Sequence, residues 1–145
     1  PYNTLLCLAN ERRLARCLGG VRRHLRTGGE FIFDVYSPDR RSLVAANGGQ
    51  AIVKSIQYDG ETWDIFERSR VRDNGKSILV EYRAVARTTR STFTIAIAQL
   101  VIYASEWWSI LSEEGFEIIS MEGGFKGGLV TEDGGTVVVR VKKLD

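Results

Sequence analysis

Long apolar runs, cysteine, histidine and net charge are all scarce in this 145-residue chain, and each scarcity removes a class of function. No stretch approaches the roughly 18 to 20 consecutive apolar residues that cross a bilayer, so no membrane-spanning helix is expected. Net charge is only +2, from 20 basic and 18 acidic residues, which gives no general pull toward nucleic acid, a membrane surface or an acidic substrate. Two cysteines, Cys7 in a strand-like run and Cys17 on the apolar side of a helix, make neither a disulfide framework nor a metal site. They read as reduced packing residues in a cytoplasmic protein. The single histidine, His24, lies at the back end of a helix, away from the strand ends where ligands bind, and is not read as a base. No charged segment followed by an apolar one opens the chain, and there is no initiator Met; Pro1-Tyr2-Asn3 reads as an interior position of something longer.

What is present is organised around His24 to Val35 (HLRTGGEFIFDV), where a basic amphipathic helix stops on Gly28-Gly29 and turns into an apolar strand. Asn10 is a good N-cap with Glu11 in the first turn, and Leu14, Cys17, Leu18, Val21 and Leu25 recur at helical spacing. A helix over 11–27 is expected, with its arginines on a solvated face. A strand over Phe31 to Val35 follows, and helix-to-strand order predicts an α/β crossover unit that buries this strand on both faces. Open α/β sheets bind ligands at the carboxyl ends of their strands, which makes Asp34, Tyr36 and Ser37 candidates for a substrate site by position.

From Gln50 the period changes from helix to strand. Residues 51–58, 61–72, 76–87 and 91–103 read as four strands, with Asp59-Gly60 and Asp73-Asn74-Gly75 as tight turns. This predicts an antiparallel meander, residues 50–104, apolar on one side and wet on the other. Trp63, Phe66, Tyr58 and Tyr82 are either an aromatic pocket or, more simply, core. Ser105 is the expected N-cap of a short helix over 106–114, stopped by Gly115, and strands follow at 116–121 and 136–141. The six glycines between those strands precede no helix N-terminus, which rules out a phosphate cradle.

The segments NTLLCL, RRHLRTGGEFIFDVYSPD, SEWWSILSEEGFEIISMEGGF and the closing VVVRVKK, in that order, resemble the second half of a class I S-adenosylmethionine-dependent methyltransferase of the small-molecule type. In that family an aromatic-Asn-Thr-Leu segment follows the fourth strand, here Tyr2 to Leu5. A helix ending in His-Leu-x-x-Gly-Gly leads to a fifth strand, here His24 to Val35, and a late helix ends in Ala-Gly-Phe, here Glu114-Gly115-Phe116. The chain lacks the family's glycine-rich cofactor motif and the acid that holds the cofactor ribose. Where relatives often have Tyr-Gly-Asp-Phe-Asp-Gly it has Glu122 to Gly127 (EGGFKG).

The resemblance implies a partial Rossmann-like sheet with an inserted antiparallel meander, α/β overall and α+β as an isolated chain, in one domain over residues 1–145. It implies S-adenosylmethionine as cofactor, bordered by Tyr2 and Asn3, a small-molecule methyl acceptor, no metal and no identified catalytic residue. The fragment alone is expected to be inactive. The exposed edge of the Phe31 to Val35 strand requires a complementing N-terminal half or a second copy of the chain. The rival reading is a non-catalytic dimeric α+β module derived from the same fold that binds a ligand or a protein. A weaker third reading is an RNA-associated module using Arg68, Arg70, Arg72 and the first helix.

Overall fold

The computed structural model describes residues 3–8, 10–45 and 48–144, and the chain divides into two compact units, residues 1–40 with 100–145, and 41–99. The first unit begins with a 3₁₀ turn, Leu6–Leu8, and helix α1, Glu11–His24. Asn10 caps α1 as expected, its Oδ1 accepting the Arg13 N–H at 2.9 Å. Cys7 lies in the 3₁₀ turn and is exposed, so neither its strand-like reading nor its packing role holds. Three consecutive apolar residues cannot distinguish a strand from a tight helical turn.

Strand β1 (Glu30–Ser37), helix α3 (Trp107–Glu113) and strands β6 (Phe116–Gly123) and β7 (Gly135–Lys143) complete this unit. The sheet order is β1-β7-β6, antiparallel throughout, with Phe31, Phe33 and Val35 opposite Val141, Val139 and Val137. Those residues meet Leu14 and Leu18 of α1, Trp107 and Leu111 of α3, and Phe116 in one core, with the Phe33 and Trp107 rings 5.1 Å apart. Each fully buried aliphatic or aromatic side chain here stabilises the fold by roughly 1.5–3 kcal/mol.

Alternation leaves the opposite face of β1 uncovered. Ile32 is 59% and Tyr36 45% exposed, whereas Val35 is fully buried. The expectation of a strand buried on both faces is therefore corrected: α1 and α3 pack into the same core against one face, and among the described residues nothing buries the other. The N-terminus of α3 differs too. The expected cap, Ser105, sits inside a 3₁₀ turn (Ala104–Glu106), and the Glu106 carboxylate reaches back to accept the Tyr103 N–H at 2.6 Å. This is the back-reaching arm of a capping box whose N-cap is Tyr103, so the helical turn starts before the serine rather than at it.

The second unit, entered through helix α2 (Arg40–Ala45), is the expected meander: β2 (Gln50–Tyr58), β3 (Glu61–Arg72), β4 (Ser77–Ala86) and β5 (Thr92–Leu100), in that spatial order. Asp59 and Gly60 both take positive φ (52° and 72°) in a two-residue hairpin turn. Across β2, β3 and the end of β4, Asp64 accepts two bonds from Arg87 (2.9 and 2.8 Å) and one from the Ser55 hydroxyl (2.6 Å), which hold its carboxyl down at about 2. Glu61 accepts the Thr89 and Thr88 N–H groups, both at 2.7 Å, which lowers its pKa in the same direction. Trp63 and Phe66 lie on opposite faces of β3, opposite Ala86 and Arg83, so the four aromatics do not line one pocket.

Candidate functional site

The carboxyl end of β1 is where the candidates meet. Asn3, in the left-handed region at φ 60°, places Oδ1 2.5 Å from the Tyr36 N–H and accepts it. Asparagine tolerates that backbone conformation better than most residues, and its short amide reaches the strand from there. The bond also fixes the orientation of β1. The Tyr36 N–H points away from β7, while the Gly29 carbonyl accepts Lys143 N–H on the β7 side at 2.9 Å. Even-numbered residues of β1 thus aim their backbone groups at the edge opposite β7, and no strand lies along that edge among the described residues.

Ser37, the last residue of β1, is 4% exposed, and its Oγ accepts the Ala104 N–H at 3.0 Å. That hydroxyl ties the end of β1 to the turn that starts α3. Arg40 then lies 4.0 Å over the Tyr103 ring, a cation–π contact at the same end of the unit. Gly134 closes the arrangement. With φ at +81° it sits so near the exit of β1 that a Cβ would stand 2.7 Å from the Asp39 N and 3.2 Å from the Ser37 O.

Beside this corner the β6–β7 connection forms an open pocket of about 360 Å³, lined by Gly123, Gly124, Leu129, Val130, Thr131, Gly134, Gly135, Thr136 and Val137. Thr136 is the register partner of Tyr36, and its carbonyl accepts the Gly124 N–H at 2.8 Å. The cavity therefore adjoins the row on the uncovered face that carries Tyr36 and Asp34. Its lining offers two hydroxyls and no charge, which suits a neutral small-molecule moiety and supplies no acid or base. Among the described residues no three His, Cys, Asp or Glu side chains are grouped to hold a metal, and no helix is long and apolar enough to cross a membrane.

The structure thus joins Asn3 directly to Tyr36, sets Asp34 two residues back on the same face, and turns Ser37 inward. Tyr2 lies outside the described residues. His24 is exposed at the end of α1, its Nδ1 2.8 Å from the Gly20 O. Sequence reasoning missed Gly134, Thr131 and Thr136; the Gly134-Gly135 pair was visible but only as a loose connection. No carboxylate lines the cavity, and the Asn3 Oδ1 is engaged with the backbone of β1.

No family model matches the chain, and no curated protein matches it. Solved structures do. A S-adenosylmethionine-dependent methyltransferase from Clostridium acetobutylicum superposes with a TM-score of 0.77 at 16% identity, over 99% of this chain and 56% of its own. The CcbJ methyltransferase from Streptomyces caelestis gives 0.79 at 16% identity, over 97% and 57%. An amino pentose methyltransferase of calicheamicin biosynthesis from Micromonospora echinaspora, solved with S-adenosylmethionine bound, gives 0.71 at 14% identity, over 99% and 56%. This chain spans little more than half the length of each. At such identities the likeness establishes the fold and nothing finer: the chain has the fold of the C-terminal half of S-adenosylmethionine-dependent small-molecule methyltransferases, antiparallel meander included.

Proposed function

We propose that this chain is the substrate-side half of a S-adenosylmethionine-dependent methyltransferase acting on a small molecule, completed by a cofactor-binding half along β1. The observation that carries the reading is the state of β1: its outer edge has no strand neighbour among the described residues, and its uncovered face exposes Ile32 and Tyr36. An apolar strand in that condition is an aggregation liability unless another segment covers it. In the matching structures about half of the chain lies outside the superposed region.

In this reading Asn3 holds the Tyr36 amide so that Asp34 and Tyr36 present their side chains at the mouth of the site. The Gly- and Thr-lined cavity accepts a neutral part of the acceptor, and Tyr2 and Asn3 border the cofactor's methionine portion. The bound cofactor supplies an electrophilic methyl group. What these residues add is orientation of the acceptor, which by itself accounts for a large part of a bimolecular barrier.

The test is calorimetry with S-adenosylmethionine on the 145-residue chain and on a protein extended through the upstream coding sequence. The short chain is expected to give no heat, and the extended one to bind and to transfer labelled methyl to an amino sugar or related small molecule. An extended protein that does not bind the cofactor, or an upstream sequence without a strand followed by an acid and spaced glycines, would overturn the reading.

A further inference from the structure

Helix α1 breaks three local rules on the side that faces away from the core. Arg12 and Arg13 stand in its first turn, where the positive end of the helix dipole disfavours a cation. Arg12 and Arg16, one turn apart, carry like charges at i and i+4, which destabilises a helix. Gly19 and Gly20 then occupy mid-helix positions, where only proline is less favourable than glycine. Neither takes a positive φ, and an added Cβ would meet only the Glu114 carboxylate at 3.7 Å and the Arg23 guanidinium at 3.8 Å, both ordinary contacts. The packing of the chain itself therefore gives no reason for glycine at either position.

These features share one surface. At 100° per residue Arg12, Arg16 and Arg23 fall within about 40° of one another, opposite the buried Leu14 and Leu18, and Gly19 and Gly20 flank the line from Arg16 to Arg23. All three arginines are exposed and make no ion pair among the described residues. The line from Arg12 to Arg23 runs about 16 Å along the helix, and no acidic residue lies on it. Over the two glycines the helix backbone is bare apart from the Arg23 guanidinium, whose nitrogens stand 3.8 Å from both Cβ positions. The result is a shallow saddle between cations.

We propose that the arginine face of α1 is a docking surface for an acidic helix of a partner protein, laid along α1 at the Gly19–Gly20 saddle with its carboxylates on Arg12, Arg16 and Arg23. Charge complementarity sets the sign of the partner, since guanidinium forks take carboxylates bidentately and hold them more strongly than neutral acceptors. The saddle sets its shape. Two helices approach as closely as the side chains between them allow, and two missing side chains bring the backbones together. A strand of nucleic acid would be served better by arginines at 19 and 20 and by a stacking ring, and α1 has no Phe, Tyr or Trp. A partner's carboxylates would neutralise the first turn and relieve the Arg12–Arg16 repulsion, so the local rules broken in α1 are compensated on binding. This face points away from the core that holds β1, and its role is independent of the proposed methyl transfer.

The test is fluorescence anisotropy on the whole chain at low salt with two labelled probes, an acetylated alanine-based helical peptide carrying glutamates at i, i+4 and i+11, and oligouridine. The peptide is expected to bind, and the double variant Arg16→Gln, Arg23→Gln to weaken it about tenfold or more. Gly20→Leu keeps every charge and favours the helix, so it is expected to raise the urea midpoint yet weaken the peptide about tenfold. Gly20→Ala is expected to raise the midpoint and to keep the affinity within about threefold. Arg70→Gln with Arg72→Gln, on β3, is expected to leave the peptide affinity unchanged. Absence of peptide binding, full binding by Gly20→Leu, an equal loss in the Arg70 and Arg72 variant, or oligouridine held more tightly than the peptide through Arg16 and Arg23 overturns the proposal.

Discussion

Replacing Gly134 by alanine separates two costs that the structure places at one corner of the site. Gly134 (φ +81°) and Gly124 (φ +77°) lie in the same β6–β7 connection and share a left-handed backbone, so alanine at either incurs a conformational penalty of about 1–2 kcal/mol. Their surroundings differ. At Gly124 a new Cβ meets nothing within 4 Å, whereas at Gly134 it would meet the Asp39 N at 2.7 Å and the Ser37 O at 3.2 Å, both backbone atoms. Forcing a methyl into such a contact adds roughly 1–3 kcal/mol, since neither backbone atom can swing aside as a flexible side chain would. Gly124→Ala should therefore cost about 1–2 kcal/mol, and Gly134→Ala about 2–5 kcal/mol. The assay is urea unfolding followed through emission of Trp107 and Trp108, with Trp63→Phe as background so that only the first unit reports. Equal destabilisation by the two substitutions would refute the claim that the β6–β7 connection is seated on the exit of β1.

Three further outcomes follow from other contacts. Ser37→Ala removes the acceptor of the Ala104 N–H, and leaving this part-buried donor unmatched should cost about 1 kcal/mol in the same urea assay. Leu111→Ala, at a fully buried position between α3 and the sheet, should cost roughly 2–5 kcal/mol, measured by the same unfolding transition. Asp64, depressed in the folded state from 3.8 to about 2 by Arg87 and then Ser55, contributes stability that is complete above the unfolded value and is lost as pH falls through about 2. A carboxylate titration by NMR should show its midpoint near 2 in the parent and moved upward in Arg87→Gln; an unchanged midpoint would contradict the bidentate pair.

Much of the architecture was legible before any coordinates because it depends on interactions only a few residues long. Helix α1 with its Asn10 cap, the Asp59-Gly60 and Asp73-Asn74-Gly75 turns, and the four strands of the meander all follow from side-chain period and turn chemistry. The same local logic failed where alternatives compete at close range. Ser105 was read as the cap, yet the helical turn starts at Ala104 with the Glu106 carboxylate on the Tyr103 N–H; Leu6 to Leu8 made a 3₁₀ turn where a strand was read.

The candidate site was legible only as positions, because its contacts are long-range. The Asn3–Tyr36 bond spans 33 residues and the Ser37–Ala104 bond 67, and Gly134 meets Ser37 and Asp39 only because β7 pairs with β1 in one register. No periodicity within a segment encodes such meetings, since they depend on which strand becomes the neighbour. By itself the sequence determined the order and type of most elements, the apolar sides of α1 and β4, and the uncharged character of β5. Only the tertiary structure decided which face of β1 is covered, which edges lie open and which backbone groups point outward, because hydrogen-bond direction in a sheet is set by its partners.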